Sequence, residues 1–262
     1  MGYFIGWLGN RSFVAVGLLL DFCALPVATL GGAWRLTWAQ WSVIRRYFFV
    51  QEYFTGVQAF LLVCFMGLLL GGIFAIEGNN GLEQFVSQRA LGEMMIFVLV
   101  REICPLLTAL IVILRSGSAV TIELGYMSAL GEIESIMMMG IDPLQLLGIP
   151  RLLGMSLSVI CLSIFHTCVA LLGGAFIAWG VGGVSLYSLL GELLITVTGI
   201  DFIVLLAKSL VFGISLSVVC LYYGFNTGSE ITRVPVQTSK ALVMSMAVCL
   251  FWNVFFSVLL YV

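Results

Sequence analysis

The sequence predicts an all-α integral membrane protein, with about five transmembrane helices preceded by an N-terminal interfacial or re-entrant helical segment. Of its 262 residues, 61% are hydrophobic and only 9% are Asp, Glu, Lys or Arg. An average soluble domain carries roughly 25% charged residues, so this chain has too few charges to cover a surface that faces water. Several apolar stretches also reach the length of about 20 residues that a membrane-spanning helix needs.

The N-terminal residues, 1–56, are expected to form interfacial or membrane-associated helices. Residues 35–55 mix Trp, Tyr and Phe with three arginines, a composition typical of a helix that lies in the plane of the membrane surface. For residues 12–55 a surface or re-entrant element is favoured, and a full span near residues 12–34 is the alternative.

The remaining residues, 57–262, are expected to form one membrane domain. Its five predicted spans lie near residues 57–77, 94–124, 152–180, 202–225 and 241–262. Small residues recur in them at helical spacing, such as Gly67 and Gly71, and allow helix backbones to approach closely. Packing within one chain is the favoured explanation, and a subunit interface is the alternative.

The distribution of Lys and Arg predicts the orientation. With residues 35–55 inside, one side of the membrane receives most of the loop cations, namely Arg35, Arg45, Arg46, Arg115, Arg151, Arg233 and Lys240. The other side receives Arg89. Because cytoplasmic loops are enriched in Lys and Arg, residues 115–151 are expected in the cytoplasm and the C-terminus outside.

Charged side chains inside the predicted spans are the costliest residues of the sequence. An ionisable residue at mid-bilayer costs ~2.5–3.5 kcal/mol on insertion scales, so it usually pairs or faces a cavity. Arg101 and Lys208 each lie about seven residues, or ~10 Å, from the same membrane face, and Glu102 can pair with one of them. We predict a polar cluster of Arg101, Glu102, Lys208 and Asn253 that lines a substrate path. The alternative is that Lys208 snorkels to the interface and that Arg101 and Glu102 pair only structurally.

A short acidic and Met-rich stretch, GEIESIMMMGIDP at residues 131–143, interrupts the apolar spans. Its apolar residues are spaced as one stripe of a helix: Leu130, Ile133, Met137 and Ile141. Pro143 ends the predicted helix. Acidic side chains suit an anionic membrane surface poorly, whereas consecutive methionines suit an adaptable protein-binding surface. A docking helix for another protein is therefore favoured over a helix that floats at the interface.

Several kinds of site are not supported by the sequence. It contains no GxxxxGK[ST] loop, so the chain does not bind ATP by that route. It has one histidine and no cluster of His, Cys and Asp, which argues against a metal site. No set of catalytic residues is recognisable, which argues against a membrane-embedded lipid enzyme. We therefore expect no catalytic residue, no metal, no cofactor in this chain and no nucleic-acid partner.

Residues 99–151 carry the most specific pattern, LVREICPLLTALIVILRSGSAVTIELGYMSALGEIESIMMMGIDPLQLLGIPR. This run closely resembles the MlaE or YrbE permease family, whose hallmark reads roughly RELGP, TAL, R.GSA, AE.G.M and M.iDP, ending in PR. The resemblance continues through residues 207–228. Matching positions with an expected structural role are Pro105, Arg115, Gly117, Glu123, Gly125, Pro143 and Arg151.

The resemblance implies the permease subunit of an ABC transporter that moves phospholipids or related lipids between the inner membrane and the cell envelope. Such permeases act as homodimers with two ATPase subunits, which bind ATP and Mg. Many work with a periplasmic hexamer of MCE-domain proteins, and some with a small STAS-domain subunit. The chain would then be a multi-pass protein of the bacterial inner membrane with a periplasmic C-terminus.

In this family, residues 126–142 would correspond to the coupling helix that seats in the ATPase. Its candidate contact residues are Glu132, Glu134, Met137, Met138, Met139 and Asp142. Two positions depart from the family pattern, since Asn253 stands where the last span often carries Asp and Cys104 where Gly is usual. The alternative function is a proton-coupled secondary transporter of a hydrophobic substrate. It would explain the intramembrane charges but not the coupling helix, and it would need no ATPase.

Overall fold

The structure is a computed structural model that describes residues 38–77, 97–182, 191 and 199–261. In these ranges all regular structure is helical. Five helical runs are long and apolar enough to cross a membrane, and we call them spans one to five: Ile44–Ile76, Phe97–Ala129, Leu144–Gly180, Gly199–Phe225 and Ile231–Leu259. The predicted all-α class with five spans is confirmed. The predictions for residues 12–34 and for Arg89 fall outside the described residues.

Spans one and two each combine α-helices with π-helical turns. Span one consists of α1 (Trp38–Glu52), a π-helical turn (Tyr53–Val57) and α2 (Gln58–Glu77). Span two consists of a π-helical segment (Phe97–Ile103), α3 (Cys104–Val112), a second π-helical turn (Ile113–Gly117) and α4 (Ser118–Ala129).

The other helices are longer or simpler. The short helix α5 (Glu132–Met138) follows span two. Span three begins with a π-helical turn (Leu144–Gly148) and continues as α6 (Ile149–Gly182). Span four is α7 (Gly199–Phe225). Span five is a 3-10 turn (Ile231–Arg233) followed by α8 (Val234–Tyr261).

Span one extends through the boundary predicted between residues 56 and 57. Helical structure is continuous from Trp38 to Glu77. The apolar run Ile44–Ile76 has 33 residues, which at ~1.5 Å per residue exceeds the hydrocarbon core of about 30 Å. Some turns of this helix must therefore extend beyond the hydrocarbon core, and the interfacial position of residues 38–56 stays a prediction.

Contacts between the spans define their relative directions. Gly154 faces Gln51 near the start of spans three and one, and Gly71 faces Ala170 near their ends. Spans one and three are therefore parallel. Spans two and four are parallel to each other in the same way, since Lys208 contacts Glu102 and Ser128 contacts Phe225. Span five is antiparallel to span two, because Asn253 contacts Glu102 and Val234 faces Gly125.

Two glycines bring the backbones of spans one and three into contact. A Cβ atom on Gly71 would lie 1.9 Å from the carbonyl oxygen of Ala170, and one on Gly67 would lie 2.9 Å from that of His166. Gly213 of span four approaches span three similarly, 2.6 Å from Ser156 Cα. Real side-chain atoms do not come this close, so only glycine fits. The packing within one chain that was predicted for Gly67 and Gly71 is confirmed, and Gly213 packs within the chain in the same way.

Burial differs strongly among the spans. In span four 61% of the apolar stretch is buried, against 11% in span five. Span four therefore lies in the centre of the bundle, where Phe212 and Leu216 belong to the main hydrophobic core. Span five lies at its margin and exposes large side chains such as Val243, Phe251 and Val254.

Candidate functional site

A cluster of polar side chains joins spans two, four and five. The Lys208 side chain is fully buried, and its Nζ lies 2.9 Å from Glu102 Oε2. Asn253 Nδ2 donates a hydrogen bond of 3.0 Å to the same oxygen. Three of the four predicted cluster residues are thus in direct contact although they lie on three different spans. The alternative in which Lys208 snorkels to the membrane surface is wrong, because its ammonium group is held inside the bundle.

Arg101, the fourth predicted member, pairs with a residue that the sequence analysis missed. Its side chain forms an ion pair with Asp201, and its Cζ lies 5.6 Å from the centroid of the Phe97 ring. The Arg101 side chain is 25% exposed and that of Asp201 only 2%. Asp201 immediately precedes the predicted start of span four and lies seven residues before Lys208, so the sequence placed it at the membrane face and not at the depth of Arg101.

The geometry of span four explains how two ion pairs form side by side. Asp201 and Lys208 are seven residues apart in α7, so they lie on the same helix face. On span two, Arg101 and Glu102 both belong to the π-helical segment Phe97–Ile103. Arg101 is directed to Asp201 and Glu102 to Lys208, which gives two charge pairs stacked along the interface of spans two and four.

Pro105 leaves a backbone acceptor free for this cluster. In an α-helix the N–H of residue 105 would donate to the carbonyl oxygen of residue 101. Proline has no N–H, so the carbonyl oxygen of Arg101 keeps an acceptor position for another donor. Lys208 Nζ donates to that oxygen at 2.8 Å. Pro105, which the sequence marked as structural, thereby helps to satisfy a buried ammonium group.

Two acceptor oxygens in the cluster have no hydrogen-bond donor. Glu102 Oε1 and Asn253 Oδ1 are both buried and unpartnered within the described part of the chain. Buried polar atoms are normally hydrogen-bonded, so these two oxygens can accept from a hydroxyl or ammonium donor. The cluster therefore keeps two unused acceptor positions inside the bundle. The described residues form no group of three or more His, Cys, Asp or Glu that could hold a metal ion.

The acidic, Met-rich stretch contains a helix that is shorter than predicted. The helix α5 covers Glu132–Met138, and glycines with left-handed backbone conformation flank it, Gly131 at φ 74° and Gly140 at φ 76°. Such a conformation suits glycine and interrupts a helix. The single helix predicted for residues 126–142 is therefore divided between the end of α4, a turn, and α5.

The predicted apolar stripe on this stretch is not one helix face. Ile133 is buried, whereas Leu130, Met137 and Ile141 are exposed, because Leu130 and Ile141 lie beyond the ends of α5. The candidate contact residues are all exposed: Glu132, Glu134, Met137, Met138, Met139 and Asp142. Met138 is 86% exposed, so α5 presents a surface that is both acidic and rich in methionine.

Most of the other residues of the MlaE-like pattern contact neighbouring spans or the start of span three. Glu123 Oε1 lies 2.8 Å from Arg151 Nη2 and links spans two and three. A Cβ atom on Gly117 would lie 3.0 Å from Cys220 Sγ, and one on Gly125 would lie 3.1 Å from Val234 Cγ1. Pro143 is buried directly before the π-helical turn of span three, where Asp142 Oδ1 accepts a hydrogen bond from the Leu144 N–H.

Arg115 is the remaining residue of the pattern, and it joins spans one and two. Its Nη2 donates a hydrogen bond of 2.6 Å to Gln58 Oε1. Its Nη1 donates to the carbonyl oxygen of Phe54 at 3.3 Å.

Comparison with known proteins gives a consistent result. The family model described as Permease MlaE matches residues 48–259. The chain is similar to the intermembrane phospholipid transport system permease protein MlaE of Haemophilus influenzae, with 28% identity over 201 residues, 76% of this chain and 77% of the relative. A probable ABC transporter permease protein of Rickettsia typhi is 24% identical over 80% of this chain and 82% of its own length. Another, from Synechocystis, is 25% identical over 85% and 84%.

Proposed function

The chain belongs to the MlaE permease family, and from this premise we propose that it is the membrane permease subunit of an ABC transporter for phospholipids or related lipids. The observation that carries the proposal is the extent of the family match, residues 48–259, which takes in α5 and nearly all of the five spans. The name of the Haemophilus influenzae relative supports phospholipid as the substrate.

A separate ATPase, present in two copies, binds ATP and Mg and drives transport. The absence of a GxxxxGK[ST] loop from the sequence agrees with this division of labour. The helix α5 is the docking element in this proposal. Its exposed methionines suit an adaptable protein contact, and Glu132 and Glu134 supply charges that a basic partner surface can recognise.

The chain resides in the bacterial inner membrane with α5 in the cytoplasm and the C-terminus in the periplasm. The antiparallel arrangement of the spans supports this orientation, because it collects Arg45, Arg46, Arg151, Arg233 and Lys240 on the side of α5. Lys and Arg are enriched on the cytoplasmic side of membrane proteins.

The permease functions as a homodimer, and the lipid path lies between the two copies. Five helices are too few to surround a lipid-sized path, and the low burial of span five leaves an apolar helix that a second copy can cover. In this arrangement the cluster of Glu102, Lys208 and Asn253 borders the path. A periplasmic hexamer of MCE-domain proteins and a STAS-domain subunit are further partners that the family resemblance implies.

The proposal is tested by reversing one charge on α5. The Glu132→Lys variant, expressed with its ATPase, should insert normally but lose phospholipid transport and retain less ATPase on purification. Transport is measured as ATP-dependent transfer of labelled phospholipid from proteoliposomes. Glu230→Lys is the matched control, because Glu230 is an exposed carboxylate on the same side that pairs with Arg233.

Unchanged transport and ATPase retention in Glu132→Lys would refute the docking role of α5. Transport by the wild-type chain without any ATPase, driven by a proton gradient, would favour the secondary transporter instead.

A further inference from the structure

Two π-helical turns meet in the groove between spans one and two. One is Tyr53–Val57 in span one, and the other is Ile113–Gly117 in span two. The second contains Arg115, whose Nη1 donates a hydrogen bond to the carbonyl oxygen of Phe54 in the first. Since π-helical turns are rare and often occur at functional sites, this pair of turns warrants a functional explanation.

The guanidinium group of Arg115 is held in one orientation by span one. The hydrogen bonds from Nη1 to the Phe54 carbonyl oxygen and from Nη2 to Gln58 Oε1 fix its plane. The Phe54 ring also lies below it, with its centroid 5.8 Å from Arg115 Cζ. All three groups that contact the guanidinium are neutral.

Arg115 therefore carries a charge that no carboxylate in the described part of the chain compensates. The ion pairs found there use Arg101, Arg151, Lys208 and Arg233 as cations, and Arg115 belongs to none of them. Arginine stays protonated in proteins. A charged residue in a membrane span usually pairs with an opposite charge or with backbone carbonyls. The partners of Arg115 are neutral, so its net charge can take an anion from outside the chain.

Exposed apolar residues lie next to Arg115 and to its partners on span one. Leu114 precedes Arg115, and Val57 and Leu61 follow the partners Phe54 and Gln58 by three residues, on the same side of span one. All three are exposed, and Leu61 is 80% exposed. We call these three residues together with Arg115 the span one–two groove. A single cation with apolar side chains around it matches the chemistry of a phospholipid, in which an anionic phosphate is joined to acyl chains.

The depth of Arg115 also suits a lipid headgroup. Arg115 lies 14 residues after Arg101 and 8 residues before Glu123, which corresponds to roughly 21 Å and 12 Å along a helix. With a hydrocarbon core of about 30 Å, this puts Arg115 in the leaflet on the side of α5. A phospholipid of that leaflet can therefore bring its phosphate to the guanidinium where span one holds it.

We propose that the span one–two groove binds a phospholipid of the leaflet on the α5 side, with Arg115 on its phosphate and Val57, Leu61 and Leu114 against its acyl chains. This inference rests on the proposed function, because it names the place where a leaflet phospholipid first contacts the permease. Bidentate contact with a phosphate is the characteristic use of a fixed guanidinium.

The experiment titrates a short-chain phosphatidylglycerol into the purified permease–ATPase complex and counts bound lipid by native mass spectrometry. Arg115→Gln should weaken binding roughly tenfold or more, the loss expected when a charge-assisted contact is removed. Arg115→Lys should retain binding within about threefold, because an ammonium group also binds phosphate as a point charge. Arg233→Gln removes an exposed cation outside the groove and should bind like the wild type.

Several results would overturn the proposal. Equal binding by wild type and Arg115→Gln would show that Arg115 does not hold the lipid. Equal loss in Arg115→Lys and Arg115→Gln would assign Arg115 a structural role. A diacylglycerol of the same chain length that binds as well would exclude phosphate recognition, and displacement by an equal concentration of inorganic phosphate would point to a soluble anion. Crosslinking of Leu114→Cys to a second copy would identify the groove as a subunit contact.

The inference and the proposed function can fail separately. If the wild-type complex binds the lipid through Arg115 but performs no ATP-dependent transport, lipid binding by the groove is supported and the proposed function is refuted. If the complex transports phospholipid while Arg115→Gln binds it normally, the proposed function is supported and lipid binding through Arg115 is refuted.

Discussion

Span two holds its charges in different ways along its length. At one end, Glu102 and Arg101 face Lys208 and Asp201, so each charge is compensated by an opposite charge of the same chain. Near the middle of the span, the partners of Arg115 among the described residues are a carbonyl oxygen, an amide and an aromatic ring. The position of a charge within a span is therefore a poor guide to its role, because the charge of its partner decides whether it can still bind an ion.

A third arrangement lies at the end of span two nearest α5. Glu123 pairs with Arg151 there, but the Glu123 side chain is 60% exposed. Water can solvate this carboxylate, so its pairing should matter less than that of Lys208. The three arrangements differ in exposure and in compensation, and substitutions can separate these two factors.

The largest effect is expected at Glu102. Glu102→Gln leaves the fully buried ammonium of Lys208 without its counter-charge, and loss of one partner of a buried pair typically costs ~3–5 kcal/mol. The double variant Glu102→Gln, Lys208→Met should cost less than the sum of the single changes, by about 0.5–3 kcal/mol. The measurement is the unfolding free energy of the purified protein in mixed detergent, titrated with denaturing detergent.

Lys240→Met serves as the control for this cycle, because Lys240 is an exposed lysine of span five. It should unfold like the wild type. Additivity of the Glu102 and Lys208 changes within error would show that the two groups are not coupled.

A smaller effect is expected at Arg101. The cycle of Arg101→Met with Asp201→Asn should give a coupling of about 1 kcal/mol, in the lower part of the range for contacting residues, because the Arg101 side chain is 25% exposed. The cycle of Arg101→Met with Glu102→Gln should give a weaker coupling. A stronger coupling of Arg101 to Glu102 than to Asp201, measured by the same unfolding titration, would contradict the ion-pair assignment.

The smallest effect is expected at Glu123. Glu123→Gln should reduce stability by only ~0.2–1 kcal/mol, as is usual for exposed pairs. Because salt screens exposed charges more than buried ones, this loss should shrink at high ionic strength, whereas the loss in Glu102→Gln should persist. An equal salt dependence of both losses would remove the distinction between the two ends of span two.

Hydrophobic length and charge depth were enough to predict much of the fold and part of the site. Long apolar runs predicted five spans, and the equal distance of Arg101 and Lys208 from one membrane face predicted that they lie side by side. Which charges pair within the cluster was harder to predict from the sequence. Asp201 falls one residue outside the predicted span four, so a window of apolar residues excludes the partner of Arg101.

The features that depend on local backbone geometry were not predicted. The π-helical turns that bring Arg115 to Phe54 leave no simple sequence signal, because a helix that is apolar on most sides has no periodicity in which one extra residue would show. The bounds of α5 were accessible in principle. Gly131 and Gly140 mark its two ends, but an apolar spacing read across both glycines predicted a single longer helix.

The contact between the backbones of spans one and three has a mechanical consequence. Where side chains separate two helices, rotamer changes let the helices slide, but at Gly71 and Ala170 there is no side chain between them that could adjust. Spans one and three should therefore move together as one rigid body during the transport cycle. Conformational change is then confined to the interfaces between the other helices. Span five, with 11% of its apolar stretch buried, has the fewest contacts within the chain to break.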